Sequence, residues 1–167
     1  NYISKLKEYF LEKAAKQLKI LREADHLFEK AYQSKNIDEK IKMYASVTRL
    51  DPFDNDARTN LAWVLYQRGD YHNAKLELKQ VMEKKPNHQR AARIFQTVQE
   101  EQERIADDLS EKAYYTKNNS QKIRLYEQSI AVDPEQYTVK TNLAYVYAHN
   151  GMREQAKALF ESILQDK

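Results

Sequence analysis

The chain has 167 residues, of which 41% are hydrophobic and 32% are charged, and its formal net charge is only +3. This length suits one globular or repeat domain, and the usage of alanine, leucine, lysine and glutamate is typical of a helical protein. With no cysteine the sequence excludes disulfides and thiolate chemistry, and with two glycines and three prolines it has few turn residues. The lysines are interleaved with glutamates at helical spacing, which favours solvated helix faces over a nucleic-acid patch.

Two long stretches contain neither glycine nor proline, and each is predicted to form one long helix. In residues 1–36, apolar residues recur every three or four positions, from Ile3 through Phe10 to Ala31. Residues 87–117 continue a similar stripe, which the polar run at residues 99–104 interrupts. In chain order, the pattern predicts helices at residues 2–34, 38–50, 55–68, 70–85, 88–117, 120–132, 136–150 and 152–166.

The best-formed unit, residues 55–86, consists of two amphipathic segments that meet at a single glycine. Gly69 suits the left-handed conformation that ends a helix, and Pro86 ends the second segment because proline cannot continue it. Ala62 and Ala74 are small where the two helices must approach closely. The unit resembles a tetratricopeptide repeat, and the resemblance is carried by Leu61, Ala62, Leu65, Gly69, Tyr71, Ala74, Leu78, Val81 and Pro86.

The same period extends over most of the chain. Pro52 and Pro86 are 34 residues apart, which is the length of one tetratricopeptide unit. Residues 22–85 and 104–167 align at an offset of 82 residues with 24 identical pairs among 64, so a two-repeat module is used twice. The resemblance implies an all-α, right-handed α-solenoid of four TPR-like helix hairpins, formed by two duplicated two-repeat modules with two extended first helices.

This arrangement predicts four segments in the chain. Residues 1–21 form an N-terminal helical extension continuous with the first repeat, and residues 22–86 form the first pair of repeats. Residues 87–102 form a second helical extension, and residues 103–167 form the second pair. The final helix carries an apolar face with Ile163 and Leu164 at the end of the array, and we expect this face to meet a further helix or another copy.

No constellation of catalytic residues is visible in the sequence. His26, His72, His88 and His149 lie far apart, and none belongs to an HExxH motif. The chain has no glycine-rich phosphate loop and no GxSxG nucleophile motif. We therefore predict that the protein is not an enzyme, that it needs no cofactor, that it has no metal site, and that the histidines lie at the surface.

The twelve tyrosines fall into two groups. Tyr44 and Tyr126 are equivalent positions on second helices, where the family has a large core residue, so we predict that they pack in the core. Other aromatic residues lie on first helices, together with acid pairs at i, i+4, on the side that lines the concave peptide-binding surface in similar proteins. The predicted partner-binding residues of this concave face are Asp25, Glu29, Tyr32, Thr59, Trp63, Tyr66, Asp107, Glu111, Tyr114, Tyr115 and Tyr145.

Asn60 and Asn142 match an asparagine with which some tetratricopeptide domains hold a C-terminal carboxylate. Acidic residues stand where the basic and amide partners of that asparagine would be, so a basic or aromatic ligand fits better. The resemblance implies a non-catalytic scaffold or adaptor that binds a basic, partly apolar segment of a protein partner within a larger assembly. One alternative is a homo-oligomer formed through the long helices and open helical ends, and another is nucleic-acid binding through the lysine-rich first helix, which is not favoured.

The sequence contains no apolar run long enough to span a bilayer and no visible signal peptide. The chain does not begin with methionine, so an anchor or signal could lie outside it. A cytoplasmic location is favoured, and the alternative is the periplasmic part of a membrane-anchored protein.

Overall fold

The computed structural model describes residues 2–165, and over this range the chain contains helices and no strands. Each predicted helix is present, with its ends within two residues of the expected positions; the predicted last residue of the final helix, Asp166, lies outside the described residues. The helices are α1 (Tyr2–Gln33), α2 (Ile37–Leu50), α3 (Asn55–Gln67), α4 (Tyr71–Lys84), α5 (Gln89–Tyr115), α6 (Asn119–Val132), α7 (Tyr137–His149) and α8 (Arg153–Gln165).

These helices form two compact units, unit 1 (Asn1–Phe95) and unit 2 (Gln96–Lys167), and the boundary falls within α5. In unit 1, α1 packs against α2, α3 packs against α4, and α2 contacts α3. In unit 2, α7 packs against α8 and α6 contacts α7. The all-α fold built from tetratricopeptide-like helical hairpins is therefore confirmed, whereas the handedness of the array and the four segment boundaries stay predictions.

Short polar side chains begin four of the helices. Asn36 accepts hydrogen bonds from the backbone N–H groups two and three residues further on. Asp54, Asp70 and Asn118 each accept one from the N–H group three residues further on. Because the first N–H groups of a helix have no partner within it, each such cap stabilises the helix by about 1 kcal/mol.

Gly69 and Gly151 end α3 and α7 in the left-handed conformation, with φ angles of +83° and +76°. After Gly69, the N–H of Asp70 donates a hydrogen bond to the carbonyl of Leu65 at 2.9 Å, which closes the end of α3. No heavy atom lies within 4 Å of the position that a Cβ would take at either glycine. A side chain is therefore disfavoured there by backbone conformation alone.

We expect Gly69→Ala and Gly151→Ala each to lower the free energy of unfolding by about 1 kcal/mol, because L-residues pay a steric penalty at positive φ. Urea denaturation followed by circular dichroism measures the change. Ala148→Gly, at an exposed position inside α7, is a control for the effect of glycine in a helix. An unchanged midpoint for both glycine variants would show that the turns can close in another conformation.

The core of unit 1 lies between its hairpins. Val47, Leu78 and Val81 are fully buried, and Tyr44 is 2% exposed with its ring in edge-to-face contact with Phe28. In unit 2, Tyr126 belongs to the corresponding core, in a cluster with Ala113, Val139, Leu143, Tyr147 and Ala156. The prediction that Tyr44 and Tyr126 are packing residues is therefore confirmed.

Both stretches without glycine and proline form single helices, as predicted. Helix α5 continues through the polar run at residues 99–104, but this run is not simply solvated. Gln102 is 1% exposed, and its Nε2 donates a hydrogen bond to the carbonyl of Val132 at 2.7 Å, at the end of α6. A buried glutamine thus satisfies one of the last carbonyls of the neighbouring helix.

Large apolar side chains are exposed at the far ends of α1 and α8. Every residue from 2 to 19 is exposed, including Ile3, Leu6, Phe10 and Leu18. Near the end of α8, Leu164 is 71% exposed, in agreement with the predicted uncovered face. None of the described helices is both long and apolar enough to cross a membrane.

Candidate protein-interaction surface

Exposed aromatic side chains from α1 and α3 meet at a cleft in unit 1. The cleft has a volume of about 470 Å³, and we call it the Trp63 cleft; it is lined by Tyr32, Lys40, Tyr44, Asn60, Trp63, Val64, Gln67 and Arg90. Tyr32 is 69% exposed and Trp63 is 38% exposed. The structure thus brings together two of the predicted partner-binding residues from different repeats.

Tyr66 supports the Trp63 cleft from one side. Its ring lies 5.3 Å from the ring of Trp63 and 5.9 Å from the ring of Tyr71, so it is half-buried between them. Trp63 also forms the wall of a second cleft, with Arg90, Arg93 and Ile94 from the start of α5. The indole therefore lies at the centre of a surface to which α1, α2, α3 and α5 contribute.

The Trp63 cleft contains basic groups that the sequence interpretation did not include. Arg90 donates a hydrogen bond through Nη2 to Oδ1 of Asn60 at 2.7 Å, and Lys40 lines the same cleft. The predicted acidic residues Asp25 and Glu29 are exposed on α1, at i, i−7 and i, i−3 from Tyr32. Unit 1 therefore presents an aromatic cleft with basic residues in its lining and acidic residues on α1 outside that lining.

Tyr44 also lines the Trp63 cleft, where its hydroxyl is hydrogen-bonded to Asn60. The side chain of Asn60 donates a hydrogen bond through Nδ2 to the Tyr44 hydroxyl at 3.5 Å. Burial raises the pKa of Tyr44, and the hydrogen bond from Asn60 and the charge of Arg90 offset part of this rise. The phenol therefore stays neutral at physiological pH and acts as a hydrogen-bonding group beneath the cleft.

One predicted partner-binding residue does not lie at the surface. Thr59 is fully buried, and its hydroxyl donates a hydrogen bond to the carbonyl of Asn55 at 2.6 Å. A side chain that is buried within its own hairpin cannot contact a partner, so Thr59 is a packing residue and its assignment to the interaction surface was wrong.

Unit 2 carries the equivalent residues in a more open arrangement. Tyr114 and Tyr115 on α5 are 66% and 74% exposed, and their rings are in edge-to-face contact. Tyr145 on α7 is 56% exposed and contacts the ring of Phe160 on α8. The structure therefore holds these aromatics in two separate pairs.

The predicted acidic residues of unit 2 are exposed beside these aromatics on α5. Asp107 accepts a hydrogen bond from Nε2 of Gln136 at 3.0 Å, and Glu111 lies one turn further along the helix. Acidic and aromatic side chains thus share the surface of α5, as the duplicated sequence predicts.

Three of the four histidines, His26, His72 and His149, are exposed, as predicted. His88 instead is half-buried and accepts a hydrogen bond at Nδ1 from the N–H of Ala91, at the start of α5. Within residues 2–165, no group of three or more His, Asp or Glu side chains is arranged to hold a metal ion.

Two of the helical hairpins, α3–α4 and α7–α8, turn at a glycine, and helical hairpins of this length are the building unit of helical repeat proteins. The family model described as tetratricopeptide repeat matches residues 56–88, which form the hairpin that carries Trp63. Residues 56–88 are therefore a tetratricopeptide repeat, and the fold of such repeats in general serves as a scaffold for protein–protein interactions.

Similar solved structures extend over most of the chain at low sequence identity. A structure of MamA residues 41-end from Desulfovibrio magneticus RS-1 is 15% identical, covering 87% of this chain and 94% of that chain with a TM-score of 0.47. Another crystal structure of MamA is 15% identical, and the match covers 95% of this chain and 82% of that chain with a TM-score of 0.40. The P58(IPK) TPR domain is 14% identical, and the match covers 97% of this chain and 54% of that chain with a TM-score of 0.41.

No curated protein matches this sequence.

Proposed function

We propose that this protein is a non-catalytic scaffold or adaptor that binds a segment of a partner protein in the Trp63 cleft of unit 1. The observation that carries this proposal is the convergence of Tyr32 and Trp63, from two different repeats, on one solvated cleft. Aromatic side chains that are partly exposed at the centre of a cleft are the usual anchors of protein interfaces.

The chemistry of the cleft suggests which segment it accepts. An apolar or aromatic side chain fits between Tyr32 and Trp63, where it would lose contact with water. A carboxylate of the segment fits beside Lys40 and Arg90, and a lysine or arginine fits toward Glu29 on α1. The proposed ligand is therefore an apolar anchor with a basic residue on one side and an acidic residue on the other, which adds an acidic residue to the basic, partly apolar segment expected from the sequence.

Substituting Trp63 and Tyr32 with alanine tests this proposal. Each substitution is expected to weaken capture of a bound partner about tenfold, since buried aromatic anchors contribute on the order of 1–2 kcal/mol or more. The measurement is quantitative affinity capture with the 167-residue chain as bait, followed by titration of each captured protein against the purified variants. Helicity and melting temperature should be nearly unchanged, because Tyr32 is 69% exposed and Trp63 is 38% exposed, so neither belongs to the buried core.

Phe53→Ala is the matched control, because Phe53 is an aromatic residue of unit 1 that is 79% exposed but does not line the cleft. Tyr66 is less suitable for the test, since it is half-buried and its loss would disturb Trp63 and Tyr71. Partners that bind the Trp63→Ala, Tyr32→Ala and unmodified chains equally well would show that the cleft is not the binding site.

A further inference from the structure

The first part of α1 is a helix with nothing packed against it in unit 1. Residues 2–19 are all exposed, and with a rise of about 1.5 Å per residue they form a helix about 27 Å long. Helices of this length are only marginally stable alone in water, and this one exposes Phe10, Leu11 and Leu18. Large apolar side chains exposed along one helix in this way indicate a surface that meets a partner.

A short stretch of this helix resembles a stretch that is already docked within unit 1. Residues 13–16 read Lys-Ala-Ala-Lys and are followed by Leu18 and Leu21, whereas residues 90–93 read Arg-Ala-Ala-Arg and are followed by Phe95 and Val98. In both stretches two alanines lie between two basic residues, with large apolar residues at the same spacing. The 82-residue offset of the duplication does not pair these two stretches with each other, so the duplication does not account for their likeness.

The docked stretch shows how such a sequence binds. Arg90 donates to Asn60 of α3 at 2.7 Å, Ala91 is fully buried, and Arg90 and Arg93 line a cleft with Trp63. The start of α5 thus buries a small alanine and places its basic side chains beside an amide and an aromatic ring. On α1, by contrast, Ala14 is exposed, and the Lys13 ammonium lies over the ring of Tyr9 at 5.0 Å.

The surface to which the docked stretch binds also occurs twice in the chain. The segment Thr-Asn-Leu-Ala is identical in α3 and α7, so Asn142 and Tyr145 of α7 take the places of Asn60 and Trp63 of α3. Tyr145 is more exposed than Trp63, 56% against 38%. The chain thus has an exposed helix, α1, that resembles the docked stretch of α5. It also has an exposed surface on α7 that resembles the surface of α3 to which that stretch binds.

We propose that α1 of one copy packs its Lys13, Ala14 and Lys16 side chains onto α7 of a second copy, beside Asn142 and Tyr145. Charge favours this occupant, since residues 2–22 contain six basic and two acidic side chains, and unit 2 exposes Asp107 and Glu111. The inference goes beyond the proposed function, because it takes the aromatic, acidic surface of unit 2 as a docking site and names its ligand. Each copy uses two different surfaces, so the contact is heterologous and joins copies head to tail.

Sedimentation equilibrium of the 167-residue chain over a range of concentrations tests this directly. The unmodified chain should show an average mass that rises with concentration above the 19.8 kDa of the monomer. Ala14→Glu places a large charged side chain at the contact, and Tyr145→Lys places a positive charge opposite Lys13 and Lys16. Each variant alone should weaken self-association at least about tenfold. Both positions are exposed, so circular dichroism should show unchanged helicity.

Mixing the two variants is the decisive measurement. The Tyr145→Lys chain retains an intact α1 and the Ala14→Glu chain retains an intact α7, so an equal mixture should form one head-to-tail contact and reach twice the monomer mass. Ala15→Glu is the matched control, because Ala92, its counterpart in the docked stretch, is exposed in unit 1; this variant should associate like the unmodified chain.

Three results would overturn the inference. The unmodified chain could stay monomeric, or the mixture of the two variants could stay monomeric. The Tyr145→Lys chain could also associate like the unmodified chain, as expected if two α1 helices paired symmetrically. The outcome is separable from that of the proposed function. A monomeric chain whose partners are still lost on Trp63→Ala would remove only the self-docking contact. An associating chain whose partners are unaffected by Trp63→Ala would remove only the proposed function.

Discussion

Replacing Leu78 with alanine is expected to lower the free energy of unfolding by about 2–5 kcal/mol. Leu78 lies on α4 and is fully buried, as are Val47 and Val81, which belong to the same unit. Removing its isobutyl group forfeits the transfer free energy of the side chain and leaves a cavity that close-packed neighbours fill only in part. Urea denaturation followed by circular dichroism gives the difference.

Leu76→Ala is the matched control, since Leu76 lies two positions earlier on the same helix and is 43% exposed. The same change of side chain there is expected to cost less than about 1 kcal/mol, because little surface is removed from a packed environment. Equal losses for the two variants would contradict the packing of α4 against α3.

The fold could be predicted from the sequence because each helix is defined by local signals. The two glycines of the chain both end helices at positive φ, and all three prolines lie in the connections between helices. Between these residues the apolar positions recur at helical spacing, and capping residues such as Asp54 and Asp70 stand at the starts. Such signals depend only on neighbours in sequence, so they survive in any packing arrangement.

The interaction surface could be predicted only in part, because it depends on residues about one repeat apart. Arg90 bonds to Asn60, Gln102 to Val132 and Gln136 to Asp107, at separations of 30, 30 and 29 residues. A search for complementary polar pairs at this separation would have placed Arg90 in the Trp63 cleft. Helical periodicity alone indicates which face a residue occupies, but it does not show what the next repeat brings to that face.

Thr59 shows the opposite limitation. It lies one turn before Trp63 on α3, so helical spacing places both on the same side of the helix. The structure separates them by depth, since Thr59 is fully buried whereas Trp63 reaches solvent. A threonine hydroxyl can bond to the carbonyl four residues earlier, as Thr59 does to Asn55, which allows it to be buried without an unpaired polar group.

The stability of unit 2 should depend on alkaline pH through Tyr147. This residue is 9% exposed, and its hydroxyl donates a hydrogen bond to Oε1 of Glu127 at 2.6 Å. Burial and the neighbouring carboxylate raise the pKa of Tyr147 to about 12, whereas an unperturbed tyrosine has a pKa of about 10. Below the lower value both the folded and the unfolded chain hold the proton, so the stabilising contribution is fully present there.

Between these two values only the unfolded chain loses the proton, so unfolding becomes more favourable as the pH rises. The folded state should lose up to about 2–3 kcal/mol from this residue over that interval. Burial also raises the pKa values of Tyr44 and Tyr126, so they add to the alkaline loss in the same direction.

Tyr147→Phe separates the contribution of this phenol from the others. At neutral pH the variant should be less stable by about 1 kcal/mol, because the hydrogen bond to Glu127 is lost. Its further loss of stability between pH 9 and pH 11 should nevertheless be smaller than that of the unmodified chain, since one buried group that must ionise has been removed. Urea denaturation at the two pH values measures both effects.

Tyr115→Phe, which removes a phenol that is 74% exposed, should leave the alkaline loss unchanged. An equal alkaline loss in the Tyr147→Phe variant would show that the bond to Glu127 does not hold the proton on Tyr147 in the folded chain.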